Sequence, residues 1–277
     1  MNEFPRTIVG GVSLSRMIIG INWFLGWSHT STAKDRFIKS YQTRSNIADI
    51  LTVFLEHGID TIMGLPISPL PEAIEEACQR TGRDMIRIWT PTFNIVPGGP
   101  PDKEPSRVFD TMRDEGATFC LPHQAMTDAL VDRMYGKIRD IDTYSAMIRE
   151  RGMIPGLSTH MPETVVIADK SEADIETYIQ IYNAAGFLMQ VEADWVMRII
   201  SEAKKPVMTI KPLAAGKLLP AVGLSFVWNT IRDCDMVTIG TTTPDEAREI
   251  IDLSLTFLDK RIPDNKLQKT RSKAFLS

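Results

Sequence analysis

Cysteine is scarce in this chain. Cys78, Cys120 and Cys234 lie far apart and form no CxxC pair, which argues against a disulfide scaffold or a thiolate zinc module and suits a reducing compartment. Long apolar runs are missing too. No stretch reaches the roughly 18 residues of a membrane span, and the opening MNEFPRTIVGG has no charged-then-apolar leader. Nor is there strong charge of either sign: the net of −4 over 277 residues argues against a nucleic-acid partner or an anionic membrane. The expectation is a cytoplasmic protein whose partner is a small molecule, with its oligomeric state open. Apolar residues make up 43% of the chain, enough for a large core.

What is present is repetition. Short apolar runs recur at 17–22, 58–64, 85–90, 117–123, 153–160, 187–192, 206–212 and 236–241, and segments with helical spacing lie between them. Helices over 47–58, 71–82, 144–152 and 175–186 are expected to end at Gly58, Gly82, Gly152 and Gly186, since glycine favours the left-handed C-cap. The last helix opens TPDE, with Thr243 as N-cap, Pro244 in the first turn and Glu246 closing a capping box. Eight strands alternating with helices predict one (β/α)8 barrel (TIM barrel) over residues 1–277, with a basic tail from Lys260. An open doubly wound sheet is the main alternative, but no G-x-G-x-x-G opens the first helix. The stretch PTFNIVPGGPPDKEP is long for a strand–helix loop and reads as lid-like.

Barrel enzymes place their chemistry where the strands end. On that rule the expected site holds Asn22, Asp60, His123, His160, Gln190, Glu192 and Lys211, with Gln190 and Glu192 on one parity of a sixth strand. The loop after the first strand, NWFLGWSHTS, adds Trp23, Trp27 and His29. It is expected to fold over the barrel mouth, because two exposed tryptophans are unfavourable unless they cover something. Asn22, Trp23, Trp27, His29 and Gln190 are the candidate substrate contacts. His123, His160 and Glu192 have the ligand types of a catalytic divalent metal; a hydrogen-bonded polar cluster is the other reading of the same residues. Lys211 suits a lowered-pKa nucleophile or base, a partner of Asp60 or Glu192, or an anion contact. The loops KPLAAGKLLP and IGTTTPDEA place Gly216, Gly240, Thr241, Thr242 and Thr243 near helix starts, where backbone N–H groups favour a phosphate.

Taken together, LSRMIIGINWFLG, GIDT, KPLAAGKL and VTIGTTTPDEAREII resemble the aldo-keto reductases along most of the chain. The resemblance implies a barrel that binds a nicotinamide cofactor, NAD(P), by its closing loop, with Asp60 at the family's aspartate and His123 at its histidine. The family's tyrosine position is Leu65, and the third strand, IRIWTP, has no lysine. Three functions follow as expectations. The first is a metal- or acid/base-assisted isomerase or lyase on a small polar metabolite, with Asp60, His123, Glu192 and Lys211 as its catalytic groups. The others are a nicotinamide-dependent oxidoreductase with a different proton donor and a non-catalytic metabolite-binding relative.

Overall fold

The computed structural model describes residues 3–93 and 101–263. Two antiparallel strands come first, β1 (Arg6–Val9) and β2 (Val12–Ser15), joined by Gly10-Gly11. Both glycines have positive φ, 53° and 82°, as a two-residue hairpin turn requires. The alternating part opens with β3 (Met17–Gly20), α1 (Asn22–Leu25), α2 (Thr32–Tyr41), α3 (Arg44–Glu56), β4 (Thr61–Gly64) and α4 (Leu70–Thr81). It continues with β5 (Ile86–Trp89), α5 (Pro105–Asp114), β6 (Phe119–Cys120), α6 (Gln124–Leu130), the small hairpin β7 (Val131–Asp132) and β8 (Lys137–Ile138), and α7 (Ile141–Glu150). Then come β9 (Ile154–Pro155), β10 (Leu157–Thr159), α8 (Pro162–Lys170), β11 (Tyr178–Ile181) and α9 (Ala193–Glu202). The chain closes with β12 (Val207–Ile210), a 3-10 turn at Ala214–Gly216, α10 (Pro220–Thr230), β13 (Met236–Ile239) and α11 (Pro244–Leu258).

Nine strands form one parallel sheet in the order β10-β11-β12-β13-β3-β4-β5-β6-β9. Its two ends, β9 and β10, are pieces of one strand interrupted at Gly156, so the sheet closes on itself as the expected (β/α)8 barrel. A side chain at Gly156 would put its Cβ 2.8 Å from the Leu121 Cγ and the Thr177 carbonyl oxygen, so only glycine fits this seam. The core has two parts. Ile18, Ile88, Phe119, Leu121, Ile179 and Met208 fill the barrel, and Val9 and Leu14 of the hairpin plug its amino-terminal end. A larger shell packs the helices onto the outside of the strands. Each fully buried Leu, Ile or Phe in these layers contributes about 1.5–3 kcal/mol.

The sixth strand corrects the sequence reading. Residues 175–186, expected as a helix, hold the strand β11, and Phe187–Glu192, expected as the strand, lies in the loop before α9. The helix pattern failed because all four residues of β11 are buried. A strand covered on both faces has no period-2 signal to set against a helical one. The lid-like stretch falls partly on residues 94–100 and the tail mostly on 264–277, both outside the described residues.

Candidate active site at the barrel mouth

The opening loop is built to stay in place. Thr32 begins α2 behind Ser31, whose hydroxyl accepts from the Lys34 amide. The Ser28 amide and hydroxyl both donate to Asp35 Oδ1, at 2.8 and 2.6 Å. Gly26 ends α1 in the left-handed region. These contacts hold the loop at the mouth, and Asn22, Trp23, Trp27, Ser28 and His29 line a cavity of about 670 Å³, with Trp27 and His29 also exposed to solvent. Trp23 lies against Gly240, where a Cβ would stand 2.8 Å from the indole Cδ1. That contact accounts for the glycine without a ligand.

Five basic side chains line the cavity: His29, His123, His160 and Lys211, and Lys34, whose Nζ lies 5.7 Å from the centre of the Trp23 ring. Lys211 Nζ lies 2.8 Å from His29 Nε2, and Asn22 Nδ2 lies 3.1 Å from the same nitrogen. An ammonium and an amide both donate, so Nε2 is the acceptor and Lys211 holds the proton. Burial lowers the Lys211 pKa to about 8. Burial, with Lys211 next in weight, also lowers His29 and His123 and brings His160 to about 4. Near neutral pH the Lys211 ammonium therefore stands among neutral imidazoles.

Two of the histidines are oriented by neighbouring backbone. His123 is the N-cap of α6, and its Nδ1 accepts from the Ala125 amide at 3.2 Å. That bond needs Nδ1 bare and leaves Nε2–H as a donor. The His160 amide donates to Asp128 Oδ2 at 3.0 Å. Thr159 and Thr164 also donate to the Asp128 carboxylate, whose pKa burial raises. Sequence reading missed Asp128 because it lies inside a helix, away from any strand end.

Several expected residues are elsewhere. Asp60 precedes β4, at the amino-terminal end of the barrel, and pairs with Arg6 of the hairpin at 2.9 Å. It does not line the mouth cavity. It was misplaced because the strand begins at Thr61 and ends at Gly64, four residues nearer the mouth. Asp60→Asn is accordingly expected to leave catalytic rates unchanged and to alter stability by no more than about 1 kcal/mol, as for partly exposed ion pairs. Matched kinetic and thermal-melting assays of the variant check this. Gln190 and Glu192 are exposed in the loop that replaced the expected strand, so the set His123, His160 and Glu192 is not assembled. Among the described residues no group of three His, Cys, Asp or Glu side chains could hold a metal ion. Lys211 pairs with His29 rather than with Asp60 or Glu192.

The cavity runs on from Lys211 along the 3-10 turn to the start of α11, past Gly216, Gly240, Thr242, Glu246 and Glu249. Thr241 and Thr243 do not line it. Thr243 accepts from the Glu246 amide as the expected N-cap, while Glu246 Oε2 takes the amide and hydroxyl of Thr242, each at 2.6 Å. The helix start is thus capped from within.

No family model and no curated protein matches the sequence. Solved structures do match over nearly the whole chain. A Pseudomonas aeruginosa protein named as an aldo-keto reductase superposes with a TM-score of 0.65 at 16% identity, covering 93% of this chain and 97% of its own. An aldo-keto reductase from Brucella melitensis gives 0.61 at 14%, covering 94% and 97%. The fold is that of the aldo-keto reductases. A barrel from Amycolatopsis orientalis, described as BexX in complex with CysO, gives 0.57 at 15% and covers 96% and 100%, so this shape is not confined to proteins named as reductases. Leu65, at the position where the resemblance implies a tyrosine, lines the mouth, as does Thr90 at the end of the lysine-free third strand of the barrel. No helix among the described residues is long and apolar enough to cross a membrane.

Proposed function

We propose that the chain is a nicotinamide-dependent oxidoreductase acting on small carbonyl compounds, with Lys211 as its proton donor. The observation that carries this reading is the hydrogen bond between Lys211 and His29 inside a cavity that continues toward the start of α11.

The residues along the cavity fit a dinucleotide of one kind. Gly216 has positive φ and nothing within 4 Å of where a Cβ would be, which leaves its backbone face open to a ligand. At the far end, Glu246 and Glu249 are suited to accept from ribose hydroxyls and would repel an added phosphate. This favours NAD over NADP. When bound, the nicotinamide supplies a hydride to the carbonyl carbon.

The chain's own residues do the rest. Lys211 has three ammonium donors, one of them directed at His29. A second can hydrogen-bond the carbonyl oxygen and pass its proton to that oxygen as negative charge develops there. His29 is exposed at the rim, so a proton from solvent can return to Lys211 through its ring. Trp23, Trp27 and the apolar floor of Met63, Ile179 and Ile210 exclude water around the reacting atoms.

The test is a titration of the purified chain with NADH and NADPH, followed by quenching of tryptophan fluorescence. NADH is expected to bind about tenfold or more tightly than NADPH, the equivalent of one repulsive carboxylate–phosphate contact. Absence of binding by either cofactor would remove the oxidoreductase reading. The isomerase or lyase reading would then be favoured by one remaining observation, a lysine of lowered pKa inside a cavity.

A further inference from the structure

The mouth of the cavity has a charge and donor pattern that the carbonyl-reducing reading does not use up. The Lys211 ammonium faces neutral imidazoles, and among the described residues its side-chain hydrogen-bond partner is His29. One Lys211 donor is engaged there and two are left. His123 keeps Nε2–H free because its Nδ1 caps α6. The carboxylates that line the cavity, Glu246 and Glu249, lie at its far end, at the start and in the body of α11. Lys34, the other lysine lining the cavity, stands over the Trp23 ring, and a desolvated ammonium such as that of Lys211 is unfavourable unless an anion joins it.

We infer that the cavity selects carbonyl substrates carrying a carboxylate on the adjacent carbon, the 2-oxo acids. This inference rests on the reading of the site as a carbonyl-reducing one and names its substrate class. In a 2-oxo acid the ketone oxygen and one carboxylate oxygen lie side by side, so two donors from one ammonium group can meet both. The second carboxylate oxygen is then available to His123 Nε2–H. Charge at Lys211 itself argues for a monoanion over a phosphate: one carboxylate neutralises its ammonium, whereas a phosphate dianion among the neighbouring imidazoles would leave a surplus charge buried. The apolar floor and the two tryptophans leave room for an uncharged side chain beyond the carbonyl.

The experiment is isothermal titration of the full-length protein with oxamate, a planar 2-oxo acid analogue, in the presence and absence of NADH. Oxamide, its uncharged counterpart, and inorganic phosphate are titrated in parallel. Oxamate is expected to bind about 10- to 100-fold more tightly than oxamide, the range of one or two charge-assisted hydrogen bonds. Phosphate is expected to bind more weakly than oxamate. Two variants report the partners: Lys211→Met removes the cation, and His123→Asn keeps an N-cap acceptor while withdrawing the imidazole donor. Both are expected to weaken oxamate by at least about tenfold and to leave oxamide little changed. Equal affinity for oxamate and oxamide overturns the inference, and so does tighter binding of phosphate. Failure of NADH to bind overturns the oxidoreductase reading instead, while the ranking of oxamate against oxamide still decides the anion site.

Discussion

Replacing Lys211 with methionine is expected to lower kcat by about 10²–10⁴-fold, the usual contribution of a positioned general acid, without loss of folded protein. Methionine fills similar space and has no charge to desolvate, so the melting temperature should stay level or rise. The pH dependence separates this role from a structural one. The Lys211 pKa is about 8 in the folded chain, against its usual 10.5. Rates that need the ammonium form should therefore decline as pH rises through about 8. Stability should move the opposite way. Between about 8 and 10.5 the unfolded chain binds the proton more strongly than the folded one, so this group makes folding more favourable as pH rises across that window. The methionine variant should lack that increment. Wild-type and variant melting curves across pH 7–11, set beside rate profiles, test both halves. A variant that retains full activity would remove Lys211 from the mechanism.

The largest expected effect on stability lies at the other end of the barrel. Asp235 is fully buried just before β13. Its carboxylate accepts from Arg232 at Nε (2.9 Å), Nη2 (2.7 Å) and the backbone amide (2.9 Å), and from the Val207 amide at 2.9 Å. Arg232 Nη2 also donates to the Lys205 carbonyl at 2.9 Å, which ties the entrance of β12 to that of β13. Asp235→Ala would leave a partly buried guanidinium and a buried amide without their acceptor. Breaking such a pair from one side costs about 3–5 kcal/mol, or roughly 6–20 °C in melting temperature for a chain of this size. Calorimetry or a circular-dichroism melt checks the value, and kcat per folded molecule should be unaffected. A shift under about 2 °C would mean that the neighbouring backbone groups re-satisfy Arg232.

How much was legible in the sequence differs between fold and site. The barrel could be read from its alternation, and the helix stops at Gly58, Gly82 and Gly152 could be read from glycine, whose φ values of 75°, 66° and 75° are the left-handed ones expected. Thr243 was recognisable as a cap because capping is a contact between near neighbours in sequence. The loop carrying Trp23, Trp27 and His29 could be assigned to the mouth, since the strand before it delivers it there. The hairpin of β1 and β2 was not anticipated, although its Gly-Gly turn was a usable sign. Other errors followed from position along a strand. Reading Asp60 and Glu192 as mouth residues required knowing where β4 begins and which segment is the sixth strand. Displacements of a few residues carry a side chain to the opposite end of the barrel, at about 3.3 Å per residue.

The repeating strand–helix order, the capped helix ends and the concentration of imidazoles with one lysine at strand ends follow from the residues alone, because each depends on local periodicity or on strand direction. Folding in three dimensions is what pairs Lys211 with His29 across 182 positions and sets Asp60 against the hairpin instead. It also sets Asp128 to hold the backbone at His160 and brings Glu246 and Glu249 into one cavity with the histidines. These pairings depend on barrel closure, which brings distant strand ends within hydrogen-bonding distance and excludes water from them. Closure also lowers the pKa of Lys211, since desolvation belongs to the assembled mouth and to no segment of the chain alone.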